Sequence, residues 1–198
     1  MVSDSNSDGE AKDTAHHQNI STFLEQLTQI QFGEHNILVY DDTTMFRQIY
    51  CDYTKRRLEE NEIVLLLPYF ETVESVKFYL QEVAINVDQY SKDGSLVIVD
   101  SVEKFFGGGK DFLYFLGIIE KNAREKGKKG ISVVADMDAF YQLYNEDKLI
   151  KYETSIEPKT ETKYSSLLCS YQKDNFNRLT KHAQDLILAQ HYRKLLTP

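Results

Sequence analysis

The feature that most constrains this chain is a regular alternation. Short apolar segments at 36–40, 63–67, 95–100, 131–135 and 164–171 are separated by stretches whose apolar residues recur at helical spacing. A segment such as 63–67 (Ile-Val-Leu-Leu-Leu) is apolar on both sides, which suits a strand of a parallel sheet buried on both faces. Between strands, Val73, Val76, Leu80, Val83, Ala84 and Val87 predict a single helix. Similar patterns predict helices over about 44–60, 112–123, 138–152 and 174–196. Strands alternating with helices imply an α/β fold of three layers: a mostly parallel sheet of five strands, or slightly more, with helices on both faces.

The 198 residues suffice for one sizeable domain. Residues 1–17 are small and polar, ending in His16-His17, and read as a disordered tail. Residues 18–198 read as one domain. It opens with a helix from Ser21, carrying Phe23, Leu24, Leu27 and Ile30 and stopped by Gly33.

Net charge is -8, which argues against a nucleic-acid partner, because phosphate neutralisation needs clustered Lys and Arg. The basic run from Lys121 to Lys129 reads as a solvated helix end. Two cysteines are too few for a disulfide framework. No apolar run approaches a membrane span and no signal-peptide pattern opens the chain. The expectation is a cytoplasmic protein with no membrane partner.

In such a fold, ligands bind beyond the carboxyl ends of the strands. The turn after the first strand, where a nucleotide binder carries glycines that cradle phosphate, holds Asp41 and Asp42 instead. These acids suit the helix dipole and repel a polyphosphate. Gly107-Gly108-Gly109-Lys110 reads as a flexible loop. It is not a P-loop: Lys104 stands where the first Gly should be, Asp111 where a Ser or Thr should be, and it follows the third strand rather than the first.

Asp100 ends the third strand where a magnesium-holding aspartate would sit, but without a P-loop there is no phosphate for that metal to serve. Asp136 and Asp138 end the fourth strand and read as polar walls of the same crevice or as a turn and helix cap. His35, Cys169 and His191 lie too far apart for any local metal signature and meet only if the fold brings them together. Taken singly, His35 reads as a hydrogen-bonding cap, Cys169 as a small buried hydrophobe and His191 as a complement to a helix C-terminus. No catalytic constellation and no metal site is assigned.

In order, His35 with the strand to Tyr40-Asp41-Asp42, the segment 95–100, Asp136-Met137, Tyr152-Glu153, the segment 167–171 and His191 resemble the MEDS family. This is a sensory domain of regulators from methanogens and methylotrophs, and the likeness spans about 33–196. It implies a degenerate relative of RecA-like and KaiC-like ATPases, a P-loop-NTPase-like fold without the P-loop. It also implies sensing of small hydrocarbon derivatives, with His35 and Cys169 as the first ligand contacts and Asp136 and His191 as the second. Where the family is expected to carry Gly-Glu-Met, this chain has Ala135-Asp136-Met137, whose shorter carboxylate reaches less far.

The resulting expectation is a non-enzymatic sensor of a small organic molecule. Its ligand-binding residues would be His35, Tyr40, Asp42, Asp100, Asp136, Cys169 and His191, and its signal would pass to a regulatory partner or through self-association. No cofactor is named. The rival reading is a scaffold that acts through protein contacts or retains weak nucleotide binding.

Overall fold

The structure, a computed structural model, describes residues 23–99, 109–143, 146–156 and 163–196. Six strands form one parallel sheet: β1 (His35–Tyr40), β2 (Ile63–Leu67), β3 (Leu96–Ile98), β4 (Ile131–Asp136), β5 (Ser165–Gln172) and β6 (Lys194–Leu196), in the order β3-β2-β4-β5-β1-β6. The first strand is therefore interior, between β5 and β6. Ile37 lies opposite Cys169 on one side and Lys194 on the other.

The helices divide between the two faces in chain order. One face is covered by α1 (23–28), α2 (Thr43–Glu59), α3 (Val73–Glu82) and α4 (Val87–Asp93), packed on Leu38, Tyr40, Val64, Leu66, Val134 and Leu168. The other is covered by α5 (Gly109–Glu125), α6 (Asp138–Leu143), α7 (Glu146–Glu153), α8 (Lys173–Arg178) and α9 (Lys181–Ala189), packed on Ile37, Val39, Leu65, Val133, Ala135 and Cys169. Alternate residues of one strand feed opposite cores, which is why the central strands are apolar throughout.

Two of the helices predicted as single elements are divided. The stripe from Val73 to Val87 breaks at Ala84, whose φ of 63° is left-handed, and Asn86 starts α4 by accepting a hydrogen bond from the Gln89 amide at 3.1 Å. The helix expected over 174–196 stops at Leu179, whose backbone is extended. Thr180 caps α9 through the Ala183 amide at 3.2 Å, and the last residues become β6, the sixth strand. Of the helix expected over 138–152 the structure describes α6 and α7, with residues 144–145 between them outside the described residues. Gly109 and Lys110, read as loop, begin α5, while residues 107–108 lie outside the described residues. Residues 1–17, expected as a disordered tail, Asp100 and the expected Ser21 cap lie outside them too. Among the described residues no helix is long and apolar enough to cross a membrane.

Candidate functional site

The predicted site residues fall in two places. At the carboxyl edge, on the face of α2, Tyr40 stacks on Phe46 with ring centroids 4.4 Å apart. Asp136 is 1 % exposed and accepts a hydrogen bond from the Asp138 amide at 3.0 Å. Burial, reinforced by the charge of Asp138, pushes the Asp136 carboxyl up to about 8, and Asp138 is raised by its own burial. Asp138 also accepts from the Gln172 amide at 3.2 Å and from Asn175 Nδ2 at 2.9 Å, which joins the end of β4 to α8. Tyr40 faces both acids, and burial followed by their charge holds its hydroxyl protonated. Asp42 is the N-cap of α2, accepting from the Met45 amide at 2.8 Å. Beside it, Asp41 pairs with Lys173 Nζ at 3.3 Å. The turn after β1 thus spends its carboxylates on the helix start and on a lysine.

His35, Cys169 and His191 lie elsewhere, on the opposite face under α7 and α9, and there they do converge. His35 opens β1 and points to the same side as Ile37. Cys169 lies mid-strand in β5, so His35 Nε2 stands 3.2 Å from Cys169 Sγ although 134 residues separate them. The β6 ladder supplies the third member. The Tyr192 amide donates to the His35 carbonyl at 2.7 Å and the Ile37 amide to the Arg193 carbonyl at 3.0 Å. This pairing seats His191 against His35, ring centroids 4.0 Å apart.

A fourth member was not among the predicted ligands. Glu153, the last residue of α7, is fully buried, and its Oε2 lies 3.5 Å from Nε2 of both His35 and His191. Its other oxygen, Oε1, accepts a hydrogen bond from the Tyr171 hydroxyl. A sequence signal for it existed: Leu149, Tyr152, Glu153 and Ile156 share one helical stripe, so a carboxylate occupies a core position. One donor atom from each of His35, Glu153, Cys169 and His191 lies within 4.8 Å of the others.

The protonation states follow from burial. Desolvation lowers both imidazoles, His35 with added repulsion from His191, and His191 to about 4. His191 Nδ1 lies 2.7 Å from the Ile187 carbonyl, which only accepts, so Nδ1 carries the proton and Nε2 offers a lone pair. Burial raises Glu153 to about 7 against the Tyr171 hydrogen bond, and burial with the charge of Glu153 raises the Cys169 thiol. Next to Cys169 lies a small cavity of ≈ 10 Å³, about the room of one water, walled by Phe112, Val133, Ala135, Tyr152, Ile156 and Leu167.

Residues 34–185 match the family model of the MEDS domain, the methanogen/methylotroph, DcmR sensory domain. The chain belongs to the MEDS family. The solved structures it is similar to agree on the fold. One is an uncharacterized protein, PH0321, from Pyrococcus horikoshii in complex with an unknown peptide, with TM-score 0.69 and 10 % identity over 90 % of this chain and 82 % of that one. Another is the KaiC-like protein PH0186 from the same archaeon, with TM-score 0.53 and 16 % identity over 79 % and 70 %. Among curated proteins, none matches this chain. A MEDS domain on a KaiC-like fold accounts for a sheet that keeps the nucleotide-binder's order of elements while its first turn carries acids.

Proposed function

We propose that this MEDS domain is a non-enzymatic sensor that recognises a small organic molecule in its interior, at the cavity bordered by Cys169 and backed by His35, Glu153 and His191. The observation that carries the reading is the juxtaposition of four buried ligating side chains with an apolar cavity in one protein layer. An apolar wall with one soft, polar corner suits a small molecule bearing a single thiol, hydroxyl or amine group. The cavity must widen to admit it. Of the helices over this face, α5 is placed to pass the change outward: Phe112 on its inner side lines the cavity, and Tyr114 and Ile118 on its outer side are exposed. The recipient would be a regulatory partner. Asp136, Tyr40 and Asp42 stabilise the carboxyl edge and do not belong to this pocket.

Thermal shift and calorimetry against small alcohols, thiols and amines, with ATP alongside, test the proposal. A binder at ~100 times its dissociation constant adds about 2.7 kcal/mol of stability. Tight magnesium-dependent ATP binding, or no response to any small organic molecule, overturns it.

A further inference from the structure

We infer that His35, Glu153, Cys169 and His191 together form a binding site for one divalent transition-metal ion of the zinc class. The inference rests on the reading above only in taking this cluster as the working site; it requires no organic ligand.

The donor chemistry selects the ion. Two imidazole nitrogens, a sulfur and one carboxylate oxygen suit Zn²⁺ or Co²⁺ and not magnesium or calcium, which prefer all-oxygen shells. The spacing fits as well. Bond lengths of about 2.0–2.3 Å around a tetrahedral zinc put neighbouring donors roughly 3.3–3.8 Å apart. Three of the observed separations are close to this, 3.2 Å from His35 to Cys169 and 3.5 Å from Glu153 to each histidine, and the other donor pairs lie within 4.8 Å, so the widest must close in to bind.

The surrounding hydrogen bonds orient these groups as outer ligands of a metal centre do. The Ile187 carbonyl fixes His191 so that Nε2 faces the cluster, and Tyr171 occupies Glu153 Oε1 so that Oε2 does. Both inward-facing atoms are buried without a well-formed hydrogen bond, the Cys169 thiol being the one nearby donor to the Glu153 carboxylate. Orphaned polar atoms at this depth cost stability unless something else satisfies them. A dication would do so and would close the charge: thiolate plus carboxylate balance it to zero net, in a place where an unbalanced charge is expensive. All four positions come from protein, the closed arrangement of a structural site, and the ion would tie β1, β5, the end of α7 and the segment after α9 to one point.

The test uses the full chain. Purified without chelator, it should carry about one zinc per chain by elemental analysis. After chelation, Co²⁺ should give tetrahedral d–d bands and a thiolate-to-cobalt charge-transfer band, both saturating at one equivalent. Cys169→Ser should abolish the charge-transfer band and keep the d–d bands, and Glu153→Gln should weaken binding roughly tenfold or more. Cys51→Ser, on the other face, and the double change His16→Asn/His17→Asn should leave the spectrum unchanged. Where Cys169→Ser does not fold, Glu153→Gln decides: unchanged affinity overturns the inference. So does a folded wild-type chain without the charge-transfer band, or a band that survives Cys169→Ser. Metal uptake without a thermal response to small organic molecules supports this inference and retires the sensing proposal; the converse result does the reverse.

Discussion

Tyr171 and Glu153 meet across the layer between sheet and helices, the hydroxyl of the strand residue donating to Oε1 at the end of α7. Both are buried, at 1 % and 0 % exposure. The contact does two things at once. It satisfies one carboxylate oxygen and thereby aims the other at His35 and His191, so a strand residue sets the direction of a helix residue's charge.

Tyr171→Phe keeps the ring, which packs edge-on against Phe176, and deletes only the donor. A buried acceptor left without its partner costs about 1–3 kcal/mol. Chemical denaturation should show that loss with an unchanged slope, and an unaltered midpoint would mean that Glu153 finds another donor.

Asp136 predicts a pH dependence at the other edge. Its carboxyl is raised from an ordinary 3.8 to about 8 by burial and by Asp138, with the protonated Tyr40 as its other titratable neighbour. The folded chain therefore holds a proton that the unfolded chain releases near pH 4. Stability from this group is complete below that value and is lost as pH rises through about 8, at a limit of ~1.4 kcal/mol per pH unit. Asp136→Asn cannot titrate. Urea unfolding of both proteins at pH 6, 7, 8 and 9 should show the variant gaining on the wild type up to about pH 8 and then holding level. A constant difference would sink the assignment.

The contrast between these two places explains what was legible beforehand. The strands, their parallel sense and the missing phosphate cradle follow from runs such as 63–67 and from Asp41-Asp42, which are local and periodic. The meeting of His35, Cys169 and His191 is not local. It depends on the register of β1 with β5 and on β6, and the 194–196 segment reads as helix because its neighbours upstream carry helical spacing. His35 and Cys169 enter the expected ligand set through the family resemblance, which does not say that they share one strand face away from the carboxyl edge. Glu153 does not stand out as a ligand in the sequence because a glutamate at a helix end is usually solvated.

The break in the Val73–Val87 stripe offers a stabilising change. Ala84 is exposed and holds φ of 63°, a conformation that costs an L-residue roughly 1–2 kcal/mol and glycine almost nothing. Part of that gain is offset by the greater freedom of glycine in the unfolded chain. Ala84→Gly should therefore raise stability by about 0.5–1 kcal/mol, read as a higher melting temperature. A fall would mean that the left-handed residue is not the seat of the break.

Arg57 is a buried cation on the α2 face, and its removal should be among the costliest changes there. It is 7 % exposed, lies over the Tyr53 ring at 4.9 Å, and pairs through Nη1 with Glu62 Oε1 at 3.3 Å. Its Nη2 donates at 3.1 Å to the carbonyls of Leu27 and Ile30, at the buried C-terminal end of α1 and the turn beyond it. Glu62 is itself 2 % exposed and also accepts from Ser132 Oγ at 2.6 Å. Arg57→Met keeps an apolar stem of similar length but leaves Glu62 without its cation and takes one donor from each of two carbonyls, of which that of Leu27 keeps the Ile30 amide at 3.3 Å. Breaking one half of a buried pair costs about 3–5 kcal/mol. The double variant Arg57→Met/Glu62→Gln removes both charges and should recover a large part of that loss. Urea midpoints of the two variants decide the matter: equal midpoints would show that the lost carbonyl contacts, and not the stranded carboxylate, carry the cost.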